Sequence, residues 1–190
     1  MKRIFRCLAV CLAFSALFML SGCASGNEAL EALPALIERA EVLNRYIWGV
    51  GPEVTEYDDS SVTASGTSKY VRVADTAEFT TLAALTEAIL QTYSTDYCDI
   101  IFEIVLEGGE DTFARYNEDA EGVLTFNVSS SGYELRTVLD ASAARVKSTG
   151  FNRVVVAVPC TFDGQPDGDY EVNLVWENGE WKLDSPTYRE

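Results

Sequence analysis

Histidine is missing from all 190 residues. Its absence removes Ser-His-Asp and Cys-His catalysis, histidine-containing zinc sites and the side chain best matched to proton transfer at neutral pH. Cations are scarce too: 14 Lys and Arg stand against 30 Asp and Glu, for a formal net charge of −16. A chain this acidic has no electrostatic means of gathering nucleic acid. Its natural charged partners are cations, basic proteins or positively charged clefts. The leading apolar run, Cys7 to Leu20, has 14 residues, short of the ~20 that a spanning helix needs. Any chemistry is left to carboxylates, Tyr, Lys or a lone Cys, and no pattern of these calls for a cofactor or a metal.

What is present begins with an address. Met1-Lys2-Arg3-Ile4-Phe5-Arg6 carries three cations and no acid, the apolar run follows, and Leu20-Ser21-Gly22-Cys23 closes it. A basic start, a short apolar segment and small residues before a cut are the layout of a secretory signal. One alternative is an ordinary signal in which Cys23 is incidental. Leu20-Ser21-Gly22-Cys23, however, resembles the lipobox of bacterial lipoproteins at all four positions. That resemblance implies cleavage after residue 22, a diacylglyceryl thioether on Cys23 and anchoring to the cell membrane on its extracytoplasmic side. Stable anchoring takes two acyl chains, which a diacylglyceryl group supplies. On this reading residues 23–32 are the lipidated cysteine and a tether, and 33–190 are one domain. Loss of Lys2, Arg3 and Arg6 leaves 11 cations against 30 acids, a net charge of −19. Such a domain is expected to be repelled by anionic lipid and to stand off on its tether.

Two cysteines remain beyond Cys23. Cys98 and Cys160 form one disulfide if they meet, since export permits it. Each also sits in an apolar stretch, where a buried free thiol is common. Spacing does not decide between the two.

Past a small-polar tether at Ala24 to Asn27, apolar residues at 33, 36, 37, 40, 43 and 47 recur at helical spacing. Pro34 fits the first turn of that helix and Gly49 the position after its end. Residues 50–68, rich in Gly, Ser, Thr and Asp, read as a long loop, and Tyr70 to Val73 as a short strand. Thr80 or Thr81 caps a second helix carrying Leu82, Leu85, Ile89 and Leu90. Ser94 caps a third, with Ile100, Ile101, Ile104 and Val105 inside and Gly108-Gly109 at its end. Beyond residue 109 the period becomes strand-like, in segments 113–116, 123–128, 138–147, 153–160, 170–176 and 181–183. Asn178-Gly179 marks a hairpin, because both residues accept positive φ. Helices first and antiparallel strands later predict an α+β domain, with three N-terminal helices packed on a curved antiparallel sheet.

This element order resembles the NTF2-like (cystatin-like) folds over about residues 35 to 188. Trp181-Lys182-Leu183-Asp184-Ser185-Pro186-Thr187-Tyr188 resembles the closing motif of uncharacterised lipoproteins from Gram-positive anaerobes. Asn44-Arg45-Tyr46-Ile47-Trp48-Gly49-Val50-Gly51 resembles their motif at the end of the first helix. More loosely, Thr81 to Tyr97 is similar to the IseA family, secreted inhibitors of cell-wall DL-endopeptidases. None of that family's inhibitory residues is matched position by position, and none is carried over.

Three kinds of site are open. Asp163-Gly164-Gln165-Pro166-Asp167-Gly168-Asp169 clusters carboxylates as calcium would want, but Leu174 stands where an EF-hand needs Glu. A hairpin loop accounts for the same Pro, Gly and Asp. Tyr46, Trp48, Tyr116, Trp176, Trp181 and Tyr188 are core aromatics or the lining of an apolar cavity of the kind NTF2-like folds enclose. Asp140, Asp184 and Arg145 are the polar residues that such a cavity would receive. Glu53, Glu56, Asp58 and Asp59 make the long loop an acidic surface for a basic envelope protein, such as a wall hydrolase. The expected function is therefore a non-catalytic binding or regulatory module at the envelope. Its alternative is a small-molecule carrier or carboxylate-based enzyme that uses an aromatic cavity.

Overall fold

A computed structural model describes residues 25–56, 64–65, 68–108, 113–130 and 132–188. Cys23, Asp58, Asp59 and Gly109 lie outside the described residues. Helix α1 runs from Gly26–Ile47, about 33 Å at 1.5 Å per residue. Its start is set by a capping box. Ser25 Oγ accepts from the Glu28 amide at 3.2 Å, and the Ser25 amide donates to Glu28 Oε2 at 3.1 Å. These two bonds satisfy amides that the first turn leaves without partners. The helix thus takes up most of the expected tether, and Pro34 sits in its ninth position rather than its first turn. Ala29, Leu33, Leu36, Ile37, Ala40, Leu43 and Ile47 form its buried stripe.

Helix α2 (Leu82–Thr92) is capped by Thr81, and α3 (Thr95–Phe102) by Ser94. A π-helical turn over Glu103–Glu107 continues α3 and stops at Gly108, whose φ is 72°. Cys98, Ile101 and Val105 face inward, whereas Ile100 and Ile104 are exposed. The expected inside face of this segment is therefore narrower than its apolar content, because a helix on one side of a sheet buries only one stripe.

The antiparallel strands fall into two hydrogen-bonded groups. Four short ones, β1 (Ala64–Ser65), β2 (Ser68–Arg72), β3 (Tyr116–Glu118) and β4 (Leu124–Asn127), pair in the order β1-β2-β4-β3. The larger group contains β5 (Thr137–Leu139), β6 (Arg145–Thr149), β7 (Arg153–Phe162), β8 (Gln165–Glu177) and β9 (Glu180–Leu183). Its order is β5-β7-β8-β9, with β6 on the same edge of β7 as β5. What reads in sequence as one strand from 138 to 147 is broken by a 3₁₀ turn at Ala141–Ala143. Asp140 causes the break: its Oδ1 accepts from the Ser142 amide and hydroxyl, a local alternative to the ladder. Register shifts at Val146/Ser148 and Pro159/Thr161 bend the sheet.

Val154, Val156 and Val158 lie opposite Leu174, Val172 and Tyr170 on the inner face, all buried. Each aliphatic residue so covered stabilises by roughly 1.5–3 kcal/mol. The hairpin turns behave as read: Asn178 and Gly179 have φ of 55° and 88°. The result is an α+β fold, with three helices among the described residues against a curved antiparallel sheet, the NTF2-like or cystatin-like arrangement.

The two groups of strands are joined through the end of α1. Arg115, just before β3, is buried there. Its Nε donates to the Tyr46 carbonyl at 2.7 Å, Nη1 to Ser130 Oγ at 3.2 Å, and Nη2 to the Gly49 carbonyl. The guanidinium also lies 5.1 Å from the Phe126 ring centroid. A cation at a helix carboxyl end meets both orphan carbonyls and the negative end of the dipole. Arg115→Met should lower stability by about 3 kcal/mol, since it removes charge-assisted bonds and takes the guanidinium donor from the Gly49 carbonyl, while the Tyr46 carbonyl keeps Tyr116 Oη. Urea unfolding of the chain without residues 1–22 measures this. Arg39→Met, exposed on α1, should shift the midpoint by less than about 0.5 kcal/mol.

Candidate functional site

The two segments singled out by resemblance, 44–51 and 181–188, meet in space. Asn44 Nδ2 donates to Thr187 Oγ1 at 2.8 Å, and Tyr93 Oη donates to Asn44 Oδ1 at 3.2 Å. Trp48 and Tyr188 pack with ring centroids 5.4 Å apart. These contacts fix the chain's last described residues against the carboxyl half of α1.

A third segment, Gly132 to Leu139, crosses the same helix end. The Tyr133 amide donates to the Trp48 carbonyl at 2.9 Å. At Gly132 a Cβ would stand 1.9 Å from the Gly49 carbonyl oxygen, so only glycine permits this approach. Gly51 serves the same junction from below, with φ of 89° and the Phe126 ring where a Cβ would be.

Between these segments lies a half-open groove of about 450 Å³. Ile37, Glu41, Asn44 and Arg45 supply one wall, and their spacing puts them along one side of α1. Leu135, Val138 and Leu139 supply the other, and Val50 and Tyr188 close the end. Val50, Tyr133 and Val138 are exposed at 69%, 51% and 58%, so the groove presents apolar side chains to solvent. Its volume is in the range of small-ligand sites. Arg45 stacks 5.6 Å from the Tyr46 ring and makes no ion pair among the described residues.

The six expected aromatics divide into three pairs. Tyr46 and Tyr116 stack at 6.2 Å in the core, and Tyr116 Oη donates to the Tyr46 carbonyl at 2.8 Å. Trp176 and Trp181 pack edge to face at 5.5 Å in the β8–β9 hairpin. Only Tyr188 lines the groove, with Trp48 behind it. The aromatics thus do not enclose one common cavity. Sequence reading missed Ile37, Glu41, Arg45, Val50, Tyr133 and Val138. Val50, an apolar residue between Gly49 and Gly51, was the one visible sign.

None of the three polar candidates enters the groove. Asp140 caps the 3₁₀ turn. Asp184 accepts from Ser94 Oγ and pairs with Arg153 Nη1 at 2.9 Å. Arg145 pairs with Asp169, reaching across β7 from an exposed position. The Asp163–Asp169 segment is a turn at Asp163-Gly164 followed by strand, with Asp163 paired to Arg136. Among the described residues no group of three or more His, Cys, Asp or Glu is arranged to hold a metal.

Among the described residues the carboxylates whose pKa moves, Asp119, Asp169 and Glu177, move downward, the opposite of what a general base in an apolar pocket requires. Asp119 is lowered against burial by the Val123 and Glu121 amides and by Arg72. Asp169 is lowered by Arg145, and Glu177 by the hydroxyl and amide of Thr95.

Of the acidic loop, Glu53 and Glu56 are exposed. Val54 and Thr55 between them are tied to Val73 and the Arg72 carbonyl, so the start of the loop is held to β2. Among the described residues no helix is long and apolar enough to cross a membrane. No protein-family model matches the chain, and no curated protein matches it.

Cys98 and Cys160 are free and buried in different settings. Cys98 faces the Ile89 and Tyr93 carbonyls, and burial pushes its thiol up to about 11. Cys160 faces the Asp167 carbonyl. A thiol-reactive disulfide reagent at pH 8 should therefore find no fast site in the native 24–190 chain and two sites after denaturation. No reaction after denaturation would mean that the two cysteines are bridged.

Proposed function

We propose that the protein is an extracytoplasmic lipoprotein whose domain binds a small amphipathic molecule in the groove at the end of α1. The lipid anchor is argued from Met1 to Cys23: a basic start, a short apolar run and Leu20-Ser21-Gly22-Cys23. The binding role is argued from one observation, the preformed apolar groove built where segments 44–51, 132–139 and 187–188 converge. Its apolar walls suit an aliphatic or aromatic body. Arg45, which lines the groove together with Glu41 and Glu134, makes no ion pair among the described residues and suits an anionic head.

This favours the small-molecule reading over an acidic loop acting on a wall hydrolase, because the groove is formed and largely apolar, while the cleft that Glu53 shares with Glu78 also holds Arg45 and so is not a purely acidic surface. None of the carboxylates whose pKa shifts, Asp119, Asp169 and Glu177, lines the groove, and a carrier needs no such group there.

Anilinonaphthalene sulfonate, an aromatic body with an anionic head, is a direct probe. It should bind the native 24–190 chain saturably. Val138→Trp, a filling change at an exposed position, should abolish binding with the unfolding midpoint unchanged. Arg45→Gln should weaken it about tenfold, the loss of one charge-assisted contact. Equal binding by wild type and Val138→Trp would refute the groove as the site.

A further inference from the structure

Phe151 is 87% exposed, more than any other large apolar residue described. It sits at the tip of the tight turn from β6 to β7, which the Gly150 amide closes on the Arg153 carbonyl at 2.7 Å. The Asn152 carbonyl accepts from the Trp176 amide at 2.7 Å, tying the turn to β8. An isolated exposed aromatic is ordinary on a protein surface. Its location gives this one meaning.

The turn lies beside the point where the chain enters the domain. Gly26, the first residue of α1, packs so closely on β6 that a Cβ there would stand 3.0 Å from Val146 Cγ2 and 3.4 Å from Thr149 Oγ1. Thr149 is two residues from Phe151. Cys23 is two residues from Ser25, a reach of at most about 7 Å. A lipid on Cys23 therefore brings the bilayer surface to the end of the molecule that carries Phe151. The groove residue Asn44 lies 18 residues further along α1, about 27 Å away.

We propose that the Phe151 turn is the membrane-contacting tip of the domain, and that Cys23 lipid and Phe151 together seat this end on the bilayer with the groove held away from it. The proposal rests on lipidation of Cys23, and it replaces the stand-off expected from charge on anionic lipid, because α1 begins at Gly26 and takes up most of the expected tether. A single lipid attachment leaves a domain free to swivel; a second apolar contact a short distance away removes that freedom. An aromatic ring on a short, hydrogen-bonded turn makes that contact at the headgroup boundary with little ordering cost. The occupant is the lipid surface rather than a protein, because the chain that leads to Phe151's neighbourhood is the one bearing the apolar run and Cys23.

The test uses the full chain, processed in a lipidating bacterial host and reconstituted in phosphatidylcholine vesicles. An environment-sensitive fluorophore is placed at Asn152→Cys, beside an intact Phe151, or at Glu53→Cys near the groove end. Cys98 and Cys160 are buried and leave the introduced thiol as the reactive one. The probe at 152 should shift to the blue and be quenched by nitroxide lipids. The probe at 53 should do neither, and adding Phe151→Ser should abolish the quenching at 152. Wild-type chain that floats with vesicles while Cys23→Ser does not establishes the anchor independently. Floating chain with a water-like probe at 152, or quenching that survives Phe151→Ser, overturns the contact alone. Wild-type chain that fails to float overturns the anchor, and the contact with it.

Discussion

A 22-residue helix ends in carbonyls that have no donors of their own, and α1 ends inside the protein rather than in water. Arg115 resolves this by bringing a guanidinium to the Tyr46 and Gly49 carbonyls, with Phe126 beneath it. Burial pulls the guanidinium's pKa below its usual value, and the hydrogen bonds and helix dipole hold the charge in place. Because Arg115 leads into β3, this contact fixes the smaller group of strands to the helix that the larger sheet is packed on. The loop from Trp48 to Gly51 is then held on several sides, and Gly132 and Tyr133 cross it in backbone contact. The groove is a consequence of that crossing.

The same device recurs at the other helices. Lys182, buried on β9, donates to the Leu90 and Gln91 carbonyls at the carboxyl end of α2. Glu177 accepts from the amide and hydroxyl of Thr95 at the amino end of α3, while Asp184 holds the capping Ser94. Cations stand at carboxyl ends and acids at amino ends, the sense that helix dipoles favour. In a chain with so few cations, two placed inside are a large share. Two others, Arg145 and Lys147, reach across β7 to Asp169 and Glu171 and join strands on the wet face of the sheet. The acids left over make the surface negative.

Local chemistry made much of this fold legible beforehand. Thr81 and Ser94 cap where expected, Gly49 follows the end of α1, and Asn178-Gly179 turns the last hairpin, because each of these depends on a few adjacent atoms. Pro34 misled about the start of α1 because the Ser25–Glu28 capping box outweighs the preference of proline for a first turn. The strand expected over 138–147 breaks because Asp140 binds its own neighbours. The groove was the least legible feature. It is assembled from positions 37–50, 132–139 and 187–188, joined only by the tertiary crossing at Gly132, and no short window of sequence contains it. The six aromatics, read as core or as cavity lining, distribute among three separate contacts, with Tyr46, Tyr116 and Trp181 buried and Trp48, Trp176 and Tyr188 half-buried. The two segments 44–51 and 181–188 meet in one junction through Asn44 and Thr187.

On the proposed function, the junction at the end of α1 is where this protein meets its ligand. Amide chemical-shift mapping tests it most directly, by titrating anilinonaphthalene sulfonate into isotope-labelled 24–190 chain. The account predicts saturable shifts confined to residues 37–50, 133–139 and 187–188, with the Trp176–Trp181 hairpin unmoved. Shifts centred on that hairpin, or spread without saturation over the exposed Ile100 and Ile104 face, would contradict it.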